Sequence, residues 1–360
     1  MHIILCGATF SALGSPIDDF ISLVWTKRWY EPGTFKTILP AEYFTQADAA
    51  TFIYNSDKND YMLIDEIELN TEDRTLTISG TSLEALFDWR VMYSPTYYSA
   101  HYEDSVRFYV DIYATDSFFA TLAFTNTPVT LATAKGYTDT GDAQTKAGAI
   151  LSEQIRAIYK PLGWAYTLTK AAASANLVFD TVKGLDRRST QSTNQQASFL
   201  SSRGDIGKVI YRKNNKDYKN YVFFRTTWPY ESAGPVAEGS SYREYDASLT
   251  GEENRYIYFT GDKNYTTAQM DALCKAELTK YPVAENATGE ISPVCALVYG
   301  TDYSLGDYCD FVDSEFGISF SAQITAVDFV YENGAKRTVP IFGEETTNIR
   351  KFVKREAGKL

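Results

Sequence analysis

Apolar and polar residues alternate with period two along several stretches of the chain, and each such stretch predicts a strand with one buried face. Ile67 and Leu69 alternate with Glu66 and Glu68. After the polar run Asn70, Thr71, Glu72 and Asp73, Leu76 and Ile78 resume the pattern between Thr75, Thr77 and Ser79. Two alternating runs around a short polar loop predict a hairpin. Thr81 stands three residues before Glu84, a capping-box spacing, so a helix is expected to open there with Leu83, Leu86 and Phe87 on one face. Farther along, Ile318, Phe320, Ala322 and Ile324 alternate with Ser319, Ser321, Gln323 and Thr325, and the pattern then shifts phase to Val327, Phe329 and Tyr331. One extra residue at Thr325 or Ala326, a β-bulge, accounts for the shift. Asn333-Gly334 then predicts a type I′ turn into a return strand over 337–342.

Helical spacing occurs twice more. Ala147, Ile150, Leu151, Ile155, Ile158 and Tyr159 predict a helix that Pro161 ends. Met270, Leu273, Cys274 and Leu278 predict another over 267–281, opened by a Thr266–Gln269 box and stopped by Pro282. Strand-like runs at 119–124, 164–168 and 177–179 flank the first of these, which reads as a small α/β insertion. Residues 183–196 are rich in Ser, Thr, Gln and Asn and read as a linker or exposed loop. Strands are expected at 209–211 and 221–227. The long loop 228–241, with Pro229, Gly234, Pro235 and Gly239, has the length of a functional or interface element.

The 360-residue length exceeds what one hydrophobic core usually serves, so more than one packed unit is expected. The fold class is read as α+β, mainly β: two tube-like β-barrel or sandwich domains, a smaller α/β insertion and two or three helices. The segments are 1–93 (first β domain), 94–185 (insertion), 186–262 (middle β segments), 263–345 (helix and closing β domain) and 346–360 (basic tail). An aromatic content of 15%, with 27 Tyr and 21 Phe, strengthens the preference for sheets.

The net charge of −12 opposes binding to phosphate backbones. The densest basic run, 350–355, reads as a solvated tail. Cys6, Cys274, Cys295 and Cys309 lie far apart, without zinc or disulfide spacing, and read as buried free thiols. No apolar run has the length of a membrane span, and the stretch 3–13 reads as a first strand without the basic residues of a signal segment.

Catalytic signatures are sparse. His2 and His101 have no partner at ligand spacing, and no nucleophile elbow, phosphate loop or dinucleotide fingerprint occurs. Gly33, Gly80, Gly306, Gly334 and Gly343 sit where turns are expected. The adjacent pairs Asp65-Glu66 and Glu344-Glu345 point to opposite faces of a strand, which argues against shared acid chemistry. Tyr and Trp could stack on sugar rings, although packing in cores and between subunits is the favoured reading.

The run Trp25-Thr26-Lys27-Arg28-Trp29-Tyr30-Glu31-Pro32-Gly33-Thr34-Phe35, followed by Ile38-Leu39-Pro40, resembles the opening of siphophage tail hub proteins, the N-terminal region of tail-associated (Tal) proteins. The likeness continues in order. Leu63 to Leu69, Ile78 to Phe87 with Gly80 and Leu83, and Trp89-Arg90 resemble the family's hairpin, helix start and following arginine. Asp217 to Val222, with Lys219 and Asn220, and Arg243 to Ser248, with Asp246, resemble its middle segments. Tyr303-Ser304-Leu305-Gly306-Asp307-Tyr308 and Ile324 to Val327 resemble its closing unit.

The resemblance implies a fold similar to the baseplate hub of contractile phages and a ring-shaped homotrimer at the virion tail tip. Two similar domains per subunit would adapt a sixfold tube to a threefold tip. It implies as partners the distal tail protein or tube ring, the end of the tape-measure protein and DNA in transit through the lumen. It assigns structural or interface roles to Trp25, Arg28, Tyr30, Gly33, Phe35, Gly80, Leu83, Arg90, Lys219, Asn220, Asp246, Leu305, Gly306 and Asp307, with no catalytic residue, metal or cofactor. A negative channel wall would let DNA slide without sticking. Because the sequence stops soon after Gly343, a hub without its own lysin is expected. A tail-tip glycan or peptidoglycan hydrolase and a carbohydrate-binding module are the alternatives.

Overall fold

The computed structural model describes residues 1–94, 101–115, 128–140, 147–226, 241–243, 253–261, 267–278, 280–281, 283–332 and 334–343. Its first part runs through β1 (Ile3–Cys6), β2 (Ser22–Arg28), β3 (Thr34–Pro40), the short helix α1 (Phe44–Asp48), β4 (Phe52–Asn55), β5 (Asp60–Asn70) and β6 (Thr75–Ser82). These strands pair antiparallel in the order β1-β4-β5-β6-β3-β2. The predicted hairpin is present, with Ile67 opposite Ile78 and Leu69 opposite Leu76. A register shift between Ile64 and Glu66 makes Asp65 the extra residue of a bulge. At this point a Cβ on Gly80 would overlap the carbonyl oxygen of Leu63. Gly80 therefore lies inside β6 rather than in the expected turn, because β5 and β6 approach too closely there for any side chain.

The capping box at Thr81 does not form. Thr81 Oγ1 instead donates to Asp65 Oδ2 at 2.8 Å, β6 continues to Ser82, and Leu83–Trp89 is a 3-10 helix. Leu83, Leu86 and Phe87 are buried as the pattern predicts. The Glu84 carboxylate accepts the Leu168 N–H at 3.1 Å, and burial holds its pKa up.

The insertion contains α2 (Tyr102–Val110), β7 (Val129–Leu131), α3 (Leu151–Tyr159), β8 (Trp164–Lys170) and β9 (Leu177–Lys183), with a sheet order of β7-β9-β8. The pattern did not announce α2, which buries Val106, Tyr109 and Val110. Ala147 precedes α3 rather than joining it. Pro161 does not stop the chain's coiling: it fits the first turn of a 3-10 continuation, Lys160–Leu162, which ends at Gly163. The run 119–124 lies outside the described residues. One hydrophobic cluster joins the insertion to the first β segment, uniting Phe52, Leu63 and Leu86 with Val106, Ile155 and Trp164. Phe87 stacks on Tyr166 and Phe179 at 5.6 and 6.0 Å.

After β10 (Ser198–Leu200), β11 (Ile206–Asn214) leads into the second of two compact units, Ile210–Ala287. There β12 (Tyr221–Thr226) lies between β13 (Ser241–Arg243) and β14 (Tyr256–Gly261). The helix α4 (Thr267–Leu278) covers one sheet face, with Val222, Phe224, Cys274 and Leu278 buried together. Thr266, Pro282 and residues 227–240 lie outside the described residues. The chain returns through β15 (Ala284–Ile291) to the first unit, Met1–Val209 with Thr288–Leu360.

The closing strands are β16 (Tyr308–Asp313), β17 (Ile318–Glu332) and β18 (Ala335–Phe342). The first half of β17 pairs with β16, and from Ala326 onward it lies between β2 and β18. The register shifts between Ile324 and Ala326, where the phase change placed the bulge. Glu332 pairs with Ala335 across a two-residue turn, in which Gly334 has φ 73°.

Trp25 and Phe329 are register partners, so the first and last segments share one sheet. The class is mainly β with antiparallel pairing, as expected. The barrel form is corrected: the strand path stays open, with β1 and β11 at its ends, and the described residues contain no closed barrel. Cys6, Cys274 and Cys309 are buried, whereas Cys295 is only half-buried.

Candidate functional site

Five distant segments converge where the aromatic hairpin meets the closing strands. The Trp29 N–H donates to the Thr325 carbonyl at 2.9 Å, which extends the β2–β17 pairing by one residue. The Trp29 ring lies against Gly306, whose φ of 92° and missing side chain make room for the indole. Trp29 Nε1 donates to the Gly163 carbonyl at 3.0 Å, and Gln323 Nε2 donates both there at 3.0 Å and to the Gly306 carbonyl at 2.9 Å. The Tyr30 hydroxyl completes the set by donating to Gln323 Oε1 at 2.5 Å.

Asp307 ties in the fifth segment. One carboxylate oxygen accepts the Leu185 N–H at 2.8 Å, and the other accepts Arg187 Nε at 2.5 Å and the Ser304 N–H at 2.9 Å. Arg187 and Asp307 are both buried, and Arg187 also exchanges backbone hydrogen bonds with Tyr308 and Ala197. Residues 183–196 are the largely exposed loop that their polarity suggested, and buried Arg187 together with the Leu185 N–H fastens it to Asp307. Asp310 extends this docking by accepting Ser189 N at 2.7 Å and Ser321 Oγ at 2.5 Å.

A second group of charges crosses the β2–β17 pairing. Lys27 Nζ lies 2.9 Å from Asp60, which also accepts Trp25 Nε1 at 3.2 Å. Burial works against the Lys27 charge, but Asp60 outweighs it and raises the pKa. Thr26 Oγ1 donates to Asp328 at 2.7 Å. Asp57 accepts Lys336 at 2.7 Å and the Tyr331 hydroxyl at 2.8 Å, beside Lys58, whose ammonium lies 3.7 Å over the Phe329 ring. Burial alone would raise the Asp57 carboxyl, but Lys336, Tyr331 and Lys58 hold it down to about 2.

The motif residues therefore separate into groups. Tyr30, Gly306 and Asp307 meet at the junction, with Leu305 half-buried beside them. Sequence reasoning assigned no role there to Gly163, Arg187 or Gln323, and the regular alternation of 318–325 gave no signal that Gln323 turns inward. Trp25 and Phe35 pack as register partners, with rings 5.6 Å apart. Arg28 Nη1 donates to the Pro32 carbonyl at 3.1 Å, which closes the Gly33 turn, and the Gly33 N–H donates to Ser82 Oγ at 2.8 Å. Leu83 enters the core, and the Arg90 carbonyl accepts the first N–H of α3. In the second unit, Lys219 N donates to the Tyr281 carbonyl, and Asn220 Oδ1 accepts Arg255 N at 2.7 Å. Asp246, Glu344-Glu345 and the 350–355 run lie outside the described residues. No group of three or more His, Cys, Asp and Glu poised for a metal occurs among the described residues. Asp65 and Glu66 do not take opposite faces as expected: the bulge at Asp65 brings both to one exposed face of the sheet, where they accept the hydroxyls of Thr81 and Ser79.

The junction is a set of saturated hydrogen bonds that fixes segments to one another. A family profile described as Siphovirus ReqiPepy6 Gp37-like protein matches residues 7–344. The chain belongs to this family. The Gp37-like match covers every segment of the junction, in agreement with the tail-hub resemblance carried by the sequence motifs.

Solved structures share the fold at low identity. A tail protein from Neisseria meningitidis MC58 superposes with a TM-score of 0.62 at 13% identity, covering 96% of this chain and 97% of its own. The 43 kDa tail protein of prophage MuSo2 from Shewanella oneidensis gives 0.59 at 13% identity, covering 95% and 98%. Prophage tail protein gp18 from Listeria monocytogenes EGD-e gives 0.54 at 13% identity, covering 99% of each chain. No curated protein sequence matches the chain.

Proposed function

We propose that this Gp37-like chain is a structural, non-enzymatic hub of the phage tail tip. Three copies form a ring that closes the distal end of the tube, adapts its sixfold symmetry to a threefold tip and opens for DNA. The observation that carries this reading is the family match over 7–344. The division of β17 supports it further. One half of that strand belongs with β16 and the other with β2 and β18, so two β modules can be built on one continuous sheet. These halves stand in for the two tube-like domains. The hub sits in the virion, with the distal tail protein or tube ring on one side and the end of the tape-measure protein within. The acidic balance serves a lumen that releases DNA.

Immunogold electron microscopy of assembled tails, with antibody to this chain, tests the placement. Label at the distal tip supports the reading, and label along the tube or at the head junction contradicts it.

A further inference from the structure

The second unit carries an aromatic surface that the hub reading does not use. Strand alternation sends Val222, Phe224 and Ile257 toward α4, and sends Tyr221, Phe223, Tyr256 and Tyr258 to the opposite face. Tyr221 is the register partner of Tyr256, and Phe223 that of Tyr258, so the four rings form a two-by-two array. Phe223, Tyr256 and Tyr258 are 43%, 48% and 59% exposed. Ring centroids of Tyr221, Phe223 and Tyr256 lie 4.8, 5.0 and 5.5 Å apart, so the side chains brace one another before any ligand arrives.

We propose that this face is a glycan-binding platform that stacks apolar faces of sugar rings on Phe223, Tyr256 and Tyr258. Three observations favour a glycan over other occupants. The exposed aromatic area is on the order of 300 Å², taking about 200 Å² per side chain, which falls well below the roughly 800 Å² per partner of a stable protein interface. It suits a few sugar rings. Three of the four rings are tyrosines, which join an apolar face to a hydroxyl able to meet sugar hydroxyls. A single nucleic-acid strand would stack on the same rings, but a chain of net charge −12 repels its phosphates.

The test is titration of the full chain with a soluble hexamer of β-1,4-linked N-acetylglucosamine and with purified bacterial cell-wall polysaccharide, followed by calorimetry. Saturable binding of either probe is expected. The double variant Tyr256→Ala/Tyr258→Ala is expected to weaken it by about tenfold or more. The control Phe316→Ala, which removes a 74% exposed ring elsewhere, is expected to keep full affinity. Circular dichroism melting establishes that each variant is folded. Binding of neither probe, or equal binding by the double variant, overturns the proposal. A double variant whose only defect is a lower assembly mass also overturns it and makes the face a contact between copies. Glycan affinity does not depend on ring symmetry, so failure here leaves the hub reading standing, and a monomeric chain would leave this platform standing.

Discussion

Arg187 and Asp307 form a 2.5 Å ion pair between segments 120 residues apart, with only 11% and 4% of their side chains exposed. A charge pair at that depth is neutral in net stability unless its remaining groups are hydrogen-bonded. Here the carboxylate also accepts two backbone N–H groups, so the pair locks the 183–196 segment onto the closing strands.

Asp307→Ala strands the Arg187 guanidinium and two backbone donors, and an unfolding cost of about 3–5 kcal/mol is expected in urea titrations. Arg187→Met should cost less, because the carboxylate keeps its two N–H partners. Equal, small losses for both variants would contradict the proposed division of labour.

Gly80→Ala should destabilise the chain by more than about 2 kcal/mol, because its Cβ meets the Leu63 carbonyl oxygen and the strands must separate. Gly207→Ala, where a Cβ meets nothing within 4 Å, should change stability by less than about 0.5 kcal/mol. Thermal melting of the two variants side by side checks the contrast.

The Asp57 carboxyl, held near 2 against an ordinary 3.8, contributes stability that is complete well above 3.8 and lost as pH falls toward 2. Melting temperature should therefore fall on acidification from pH 6 to pH 3, and the fall should be shallower in Asp57→Asn. Parallel curves for the two proteins would show that the Lys336 and Tyr331 contacts contribute nothing.

Thiol labelling should separate the cysteines. Cys6, pushed up to about 11 by burial, and the buried Cys309, also raised by burial, should resist maleimide at pH 7, as should buried Cys274. Cys295, half-buried, should label first in the native protein, as mass spectrometry of the modified peptides can establish. Early modification of Cys309 would mean that β16 opens readily.

Local pattern announced what local forces decide. The phase change near Thr325 foretold the bulge, and Asn333-Gly334 foretold the closing turn, because both depend on neighbouring residues alone. Gly80 misled because its need for a bare Cα comes from β5, across the sheet. The Thr81–Glu84 spacing misled because Asp65 and Leu168 offered better partners to those side chains. The junction was half legible. Tyr30, Gly306 and Asp307 stood out through resemblance, but Arg187 and Gln323 gain much of their meaning from contacts with Asp307, Gly163 and Tyr30, made across 120 to 293 positions. The polarity of 183–196 announced an exposed loop, but not the fastening of Leu185 and Arg187 to Asp307.

The threefold ring is the central claim, and the mass of the full chain in solution tests it most directly. Light scattering across a concentration series should approach three times the 40.4 kDa chain, about 121 kDa for a closed C₃ ring. A single 40.4 kDa species at every concentration would contradict it.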